Sequence, residues 1–188
     1  MNCVTRPIHM DQSSPIKDLL YQSLEKFPEK IIHERILNGS KLLIADIFKS
    51  SDIDSVSGDR VENYETFAES LMHYLLTNAM IPSQRKVTVG EIEFDIIIPD
   101  LRALNEKNSD AIILVFPKTD DRGSVKKRLE ELAGLQANQQ NIWLIQKVSL
   151  GLPYKTYEID DESFFSILED IKNSKAGKAR SKFKIFKV

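Results

Sequence analysis

Apolar and polar positions alternate along this chain with two different periods, and the change of period divides it. From Pro15 to Phe27 the apolar residues Ile16, Leu19, Leu20, Leu24 and Phe27 recur at helical spacing. Pro28 interrupts that pattern, which resumes from Glu29 to Lys49 with a weak point at Asn38-Gly39-Ser40. A polar stretch over residues 50–60 follows, with Gly58 in it. The next run, 61–79, predicts a strong amphipathic helix with Tyr64, Phe67, Ala68, Leu71, Leu75 and Ala79 on its buried stripe. Glu65, Glu69 and His73 form a second row at helical spacing, the pattern of an exposed helix face.

Beyond Ile81-Pro82-Ser83 the period shortens. RKVTV and EIEFDIII predict two strands turned at Gly90. By strict alternation Glu93, Asp95 and Ile97 share one face of the second strand, and Ile92, Phe94, Ile96 and Ile98 the other. AIILVF, residues 111–116, is a short continuous apolar run, as in a strand covered on both faces. Asp120, Asp121 and Ser124 offer caps for a helix to about Gln140, and NIWLIQKV is a further buried strand with Trp143 as core. GLPYKTYEID offers an edge strand, and Asp160 or Asp161 caps a last helix, 162–173. The expected organisation is a helical N-terminal extension (1–50), a linker (51–60), an α/β domain (61–171) and a basic tail (172–188).

Composition adds bounds. The 188 residues, 41% hydrophobic and 29% charged, are those of a globular protein with one full core. No apolar run reaches membrane-spanning length, and the first residues lack a signal-peptide core, so a cytoplasmic location and no membrane partner are expected. One cysteine, Cys3, and three scattered histidines make neither an internal disulfide nor a zinc site. The net charge of -2 conceals a division: residues 172–188 carry about +7 and the rest about -9. Lys175, Lys178, Arg180, Lys182 and Lys184, interleaved with Phe183 and Phe186, are candidate contacts to nucleic-acid phosphates and bases. A solvated end, or one folded back on the acidic body, fits the same residues.

The stretch from Arg85 to Lys118 carries the chemistry. Asp95 stands on the second strand, Lys118 two residues beyond Phe116 at the end of the third, and the helix before them offers Glu65 or Glu69. Order and residues together resemble the core of the PD-(D/E)xK, or restriction-endonuclease-like, superfamily over roughly residues 61–150. The resemblance implies a helix-strand-strand-strand-helix-strand core, with a mixed central sheet flanked by helices. It also implies a magnesium- or manganese-dependent phosphodiesterase acting on DNA or RNA. Asp95 would hold the metal with Glu93, or with Glu69 from the helix; Lys118 would assist the nucleophile, and Gln136 would be the polar residue of the following helix. Such a metal requires hard oxygen ligands, and the lysine orients the attacking water or balances charge. The resemblance also makes a homodimer an expectation.

The chain departs from the family where the motif's second carboxylate should be. Phe116 occupies that position and cannot ligate a metal, so a relocated carboxylate would be needed, from Glu93 or Glu69. The Pro99-Asp100 pair lies past the strand end. Two functions remain: a nucleic-acid-acting protein of nuclease-like fold, or a noncatalytic protein-interaction module that keeps the fold without the chemistry. Residues 111–146 also form a strand-helix-strand unit of the kind found in doubly wound domains, but VFPKTDDRG matches no glycine-rich phosphate loop.

Overall fold

The computed structural model describes residues 14–105, 109–159 and 161–178. Three helices open it: α1 (Pro15–Glu25), α2 (Glu29–Asn38) and α3 (Ser40–Ser50). The helical pattern read over 29–49 is thus two helices, hinged at Gly39. A single 3-10 turn at Ile53–Ser55 lies in the polar stretch. Helix α4 (Arg60–Asn78) follows, capped by the Asp59 side chain, which accepts from the Glu62 N–H.

Then come β1 (Gln84–Val89), β2 (Ile92–Ile98), the one-turn α5 (Leu101–Leu104), β3 (Ile112–Val115), α6 (Arg122–Ala133), β4 (Ile142–Gln146), β5 (Lys155–Glu158), α7 (Glu162–Asn173) and the short α8 (Lys175–Lys178). The five strands form one sheet in the order β1-β2-β3-β4-β5. The first two pairings are antiparallel and the last two parallel, so the sheet is mixed. The order α4-β1-β2-β3-α6-β4 lies within it, and β5 supplies the expected edge strand. Asp100 caps α5 by accepting from the Ala103 N–H at 2.9 Å, which gives the literal Pro-Asp pair a local backbone role.

Helices cover both faces. On one, α1 to α4 and α7 share an apolar cluster with Ile96, Ile98, Leu114, Phe116, Trp143 and Ile145 of the sheet region. Phe48 packs edge-on against Phe67 at 5.1 Å and Phe164 at 5.6 Å, joining α3, α4 and α7. The helices of residues 15–50 therefore share the core of the α/β part. On the other face α5 and α6 pack Leu104, Val125, Leu129 and Leu132 onto Phe94, Ile97, Ile113, Val115 and Leu144. Both faces are covered, which is why β3 and β4 are buried at every position, and apolar at every position but Gln146.

Two expectations change. Helix α6 ends at Ala133, not near Gln140, and Gln136 lies beyond its end. That side chain turns inward: it is 1% exposed and its Nε2 donates to the Ala111 carbonyl at 2.6 Å. The second change concerns β2. Phe94 belongs to the α6-side core with Ile97, whereas Ile96 and Ile98 lie on the α4 side. Alternation therefore slips at Asp95, and it slips in the partner strand too. Val87 packs on the α6 side opposite Phe94, while Arg85, opposite Ile96, reaches α4. Between them Lys86 stands opposite Asp95 in register and adopts φ 53°, a left-handed value rare for a non-glycine. One pair of residues reverses the phase of both strands, and that pair is the centre of the candidate site.

Candidate functional site

The site lies where β2 and β3 meet α4 and α6. The phase slip removes Asp95 from the solvated face that alternation assigned it and leaves it 2% exposed. A buried carboxylate requires partners, and it has three. Its Oδ1 accepts from Lys86 Nζ at 2.9 Å. Its Oδ2 accepts from the Phe116 N–H at 2.8 Å and from Arg128 Nη2 at 2.9 Å.

Glu65 and Glu69 differ from the exposed row that helical spacing predicts; they are 1% and 0% exposed. α4 is enclosed by the other helices on one side and the sheet on the other, so its acidic row faces the strand ends. Glu65 accepts from the backbone N–H of Lys147, at 2.9 Å, and from that of Lys118. Burial pushes its carboxyl up to about 7, against the opposing pull of those two N–H groups. Glu69 Oε1 accepts from Arg85 Nε at 2.7 Å, and its Oε2 pairs with Lys118 Nζ at 2.7 Å.

Lys86 ties the groups together. Its Nζ lies 2.9 Å from Asp95 Oδ1, 3.0 Å from Glu93 Oε1 and 3.5 Å from Glu69 Oε2. Burial alone would lower its pKa, but Asp95, Glu93 and Glu69 outweigh that and hold it above the ordinary lysine range. It is therefore a permanent cation among three carboxylates. Arg85, Lys86, Lys118 and Arg128 are paired with Glu69, Glu93 and Asp95. A cleft of about 270 Å³ opens beside them, lined by Lys86, Glu93, Asp95, Lys118 and Arg128 among others. Lys118, at φ 60°, is the site's second left-handed lysine.

The predicted residues Asp95, Glu93, Glu69 and Lys118 thus do converge, and Glu65 joins them through backbone N–H groups. The residues missed are Arg85, Lys86 and Arg128. Lys86 had a legible signal, because a hairpin turned at Gly90-Glu91 pairs Val89 with Ile92 and so sets Lys86 opposite Asp95. Arg128 had none; it is one cation among several on an amphipathic helix. Phe116 is fully buried on the α4 side, and its backbone rather than its ring serves the site.

The magnesium or manganese site implied for Asp95 and Glu93 can be tested against these donors. Both oxygens of Asp95 are engaged, and the cation between Asp95, Glu93 and Glu69 is Lys86 itself. Among the described residues no group of three or more His, Cys, Asp or Glu side chains is arranged to hold a metal ion. With Lys86 in place the donor set does not fit an octahedral divalent cation. Of the tail residues, Lys175 pairs loosely with Asp110 at 3.4 Å and is 81% exposed, and α8 ends at Lys178. Arg180, Lys182 and Lys184 lie outside the described residues. Among the described residues no helix is long and apolar enough to cross a membrane.

No family model matches this sequence, and neither curated proteins nor solved structures give a significant match.

Proposed function

We propose that this chain is a noncatalytic, nucleic-acid-binding protein of restriction-endonuclease-like architecture, in which a lysine ammonium replaces the catalytic metal. The observation that carries the reading is Lys86 Nζ, within 3.5 Å of carboxylate oxygens from Asp95, Glu93 and Glu69. Support for the architecture is the α4-β1-β2-β3-α6-β4 order, with Asp95 on β2 and Lys118 just past β3. The ammonium offsets part of the carboxylates' charge but cannot do what a metal does: it has no open coordination position to polarise a phosphodiester or acidify a bound water. Such a centre holds β2, β3, α4 and α6 together and leaves recognition to the surrounding surface. The basic residues after Asp170 are the groups offered to phosphates, since Lys118 and Arg128 at the cleft are paired with Glu69 and Asp95.

A second reading, a module that binds another protein, is favoured by the acidic balance of the chain before Lys172 and by the exposed Leu37 and Leu42 on α2 and α3. One experiment separates the possibilities. Wild type and Asp95→Ala are incubated with Mg²⁺ or Mn²⁺ and single-stranded, duplex and branched DNA and RNA, and both cleavage and retention are measured. The expected result is retention without cleavage. Cleavage that vanishes in Asp95→Ala would overturn the noncatalytic reading, and absence of both retention and cleavage would favour the protein-binding module.

A further inference from the structure

A second cleft, of about 370 Å³, lies between α1, α4 and β1 on the far side of Arg85 from the Asp95 centre. Lys17, Tyr21, Ser70, His73, Tyr74 and Arg85 line it with three apolar or uncharged neighbours, and no carboxylate is among the lining residues. Arg85 is paired with the buried Glu69, so Lys17 is the cleft's uncompensated cation. Lys17 has no ion pair among the described residues, so its charge is available. Arg85 gives one edge to Glu69 at 2.7 Å and turns Nη2 to Ser70 Oγ at 3.4 Å, at the cleft wall.

Two further observations narrow the ligand. His73 lines the cleft as a half-buried side chain whose Nδ1 faces inward without a hydrogen-bond partner. Burial and the nearby Arg85 also hold His73 below its ordinary pKa, so the ring is neutral and can donate or accept. Tyr21, 51% exposed, and the half-buried Tyr74 supply an aromatic wall. Cations with hydroxyl donors suit a phosphate dianion, and an aromatic wall suits a flat base. The volume is in the range of small-ligand sites.

We propose that this cleft binds the phosphate monoester of a nucleoside, either as a free mononucleotide or as the 5′-phosphorylated end of a strand. Lys17 and Arg85 hold the phosphate, His73 and Ser70 bond to the ligand's polar atoms, and Tyr21 packs on the base. The cleft shares Arg85 with the Asp95 centre, while Lys17, Tyr21 and His73 take no part in that centre.

The test is calorimetric titration of the full chain with adenosine 5′-monophosphate, adenosine, and a 5′-phosphorylated dinucleotide. The same titrations are made on Lys17→Glu and Tyr21→Ala, whose melting temperatures are checked against wild type. The monophosphate should bind at least about tenfold tighter than adenosine, and Lys17→Glu should weaken it by about tenfold or more at unchanged stability. Tighter binding of the dinucleotide assigns the site to strand ends, and equal binding assigns it to free nucleotides. No binding of either phosphate monoester, equal binding of adenosine, or binding that survives both substitutions would overturn the proposal.

Discussion

Lys86 carries two burdens at once, a strained backbone and a charge held among carboxylates, and substitutions can separate them. Lys86→Ala removes the ammonium but keeps the left-handed strain. Asp95 retains Arg128 and the Phe116 N–H, so the expected loss is about 1–3 kcal/mol, below that of orphaning a buried charge outright. Lys86→Gly removes the same charge and relieves φ 53°, so it should be about 0.5–1 kcal/mol milder than the alanine variant in urea denaturation. Equal losses would show that the backbone there is unstrained. Glu65 gives a pH signature. Its folded carboxyl titrates near 7 and its unfolded one near 4.5, so the folded state binds the extra proton between those values. This group's contribution to stability is therefore greatest below about pH 4.5 and declines as pH rises to about 7, by at most about 1.4 kcal/mol per unit. Denaturation of wild type and Glu65→Ala across that window should show the difference shrinking as pH rises; a difference that grows would mean the two N–H bonds outweigh burial.

At the scale of elements, the β1–β2 hairpin explains both what was legible in the sequence and what was not. Gly90 at φ 62° makes the turn, and from the turn the register of Lys86 against Asp95 follows. The run of helices and strands was readable because their apolar periods are long and cleanly bounded by Pro28, Gly58 and Pro82. The slip at Asp95 was not, because EFDIII has an apolar residue on either side of the slip and fits both phases. For the same reason the acidic row of α4 reads as surface: nothing in the helix's own period records that strand ends would offer it N–H groups and cations. Phe116 is the element-level counterpart. Its ring is fully buried between β3 and α4, so Phe116→Ala should cost about 3–5 kcal/mol by thermal or chemical denaturation. Phe116→Glu should fail to fold rather than rebuild a metal site, since it would bury an unpaired carboxylate. A folded, stable Phe116→Glu would show that the position faces the cleft.

Over the whole molecule, the N-terminal helices are part of the core rather than an accessory to it. Ile16, Leu20, Ile36, Leu43 and Ile47 share one apolar cluster with Phe67, Leu71 and Phe164. Deleting residues 1–50 should therefore abolish cooperative thermal unfolding, whereas the full chain should melt in one transition; a truncated protein with a sharp melt would mark the helices as dispensable. The sequence showed this extension as helical but not where it packs, because amphipathic stripes reveal that a face is buried and not against what. The same limit held at the site, where residue types converged as the resemblance implied and the identity of the central cation came only from three dimensions. That cation is the core of the account, and Mn²⁺ titration of wild type and Lys86→Ala, followed by calorimetry or electron paramagnetic resonance, tests it most directly. Wild type should take up no Mn²⁺ at this centre. Lys86→Ala should gain a site that a further Asp95→Ala removes. Mn²⁺ binding by wild type that is lost in Asp95→Ala, or no gain in Lys86→Ala, would contradict a lysine in the metal's place.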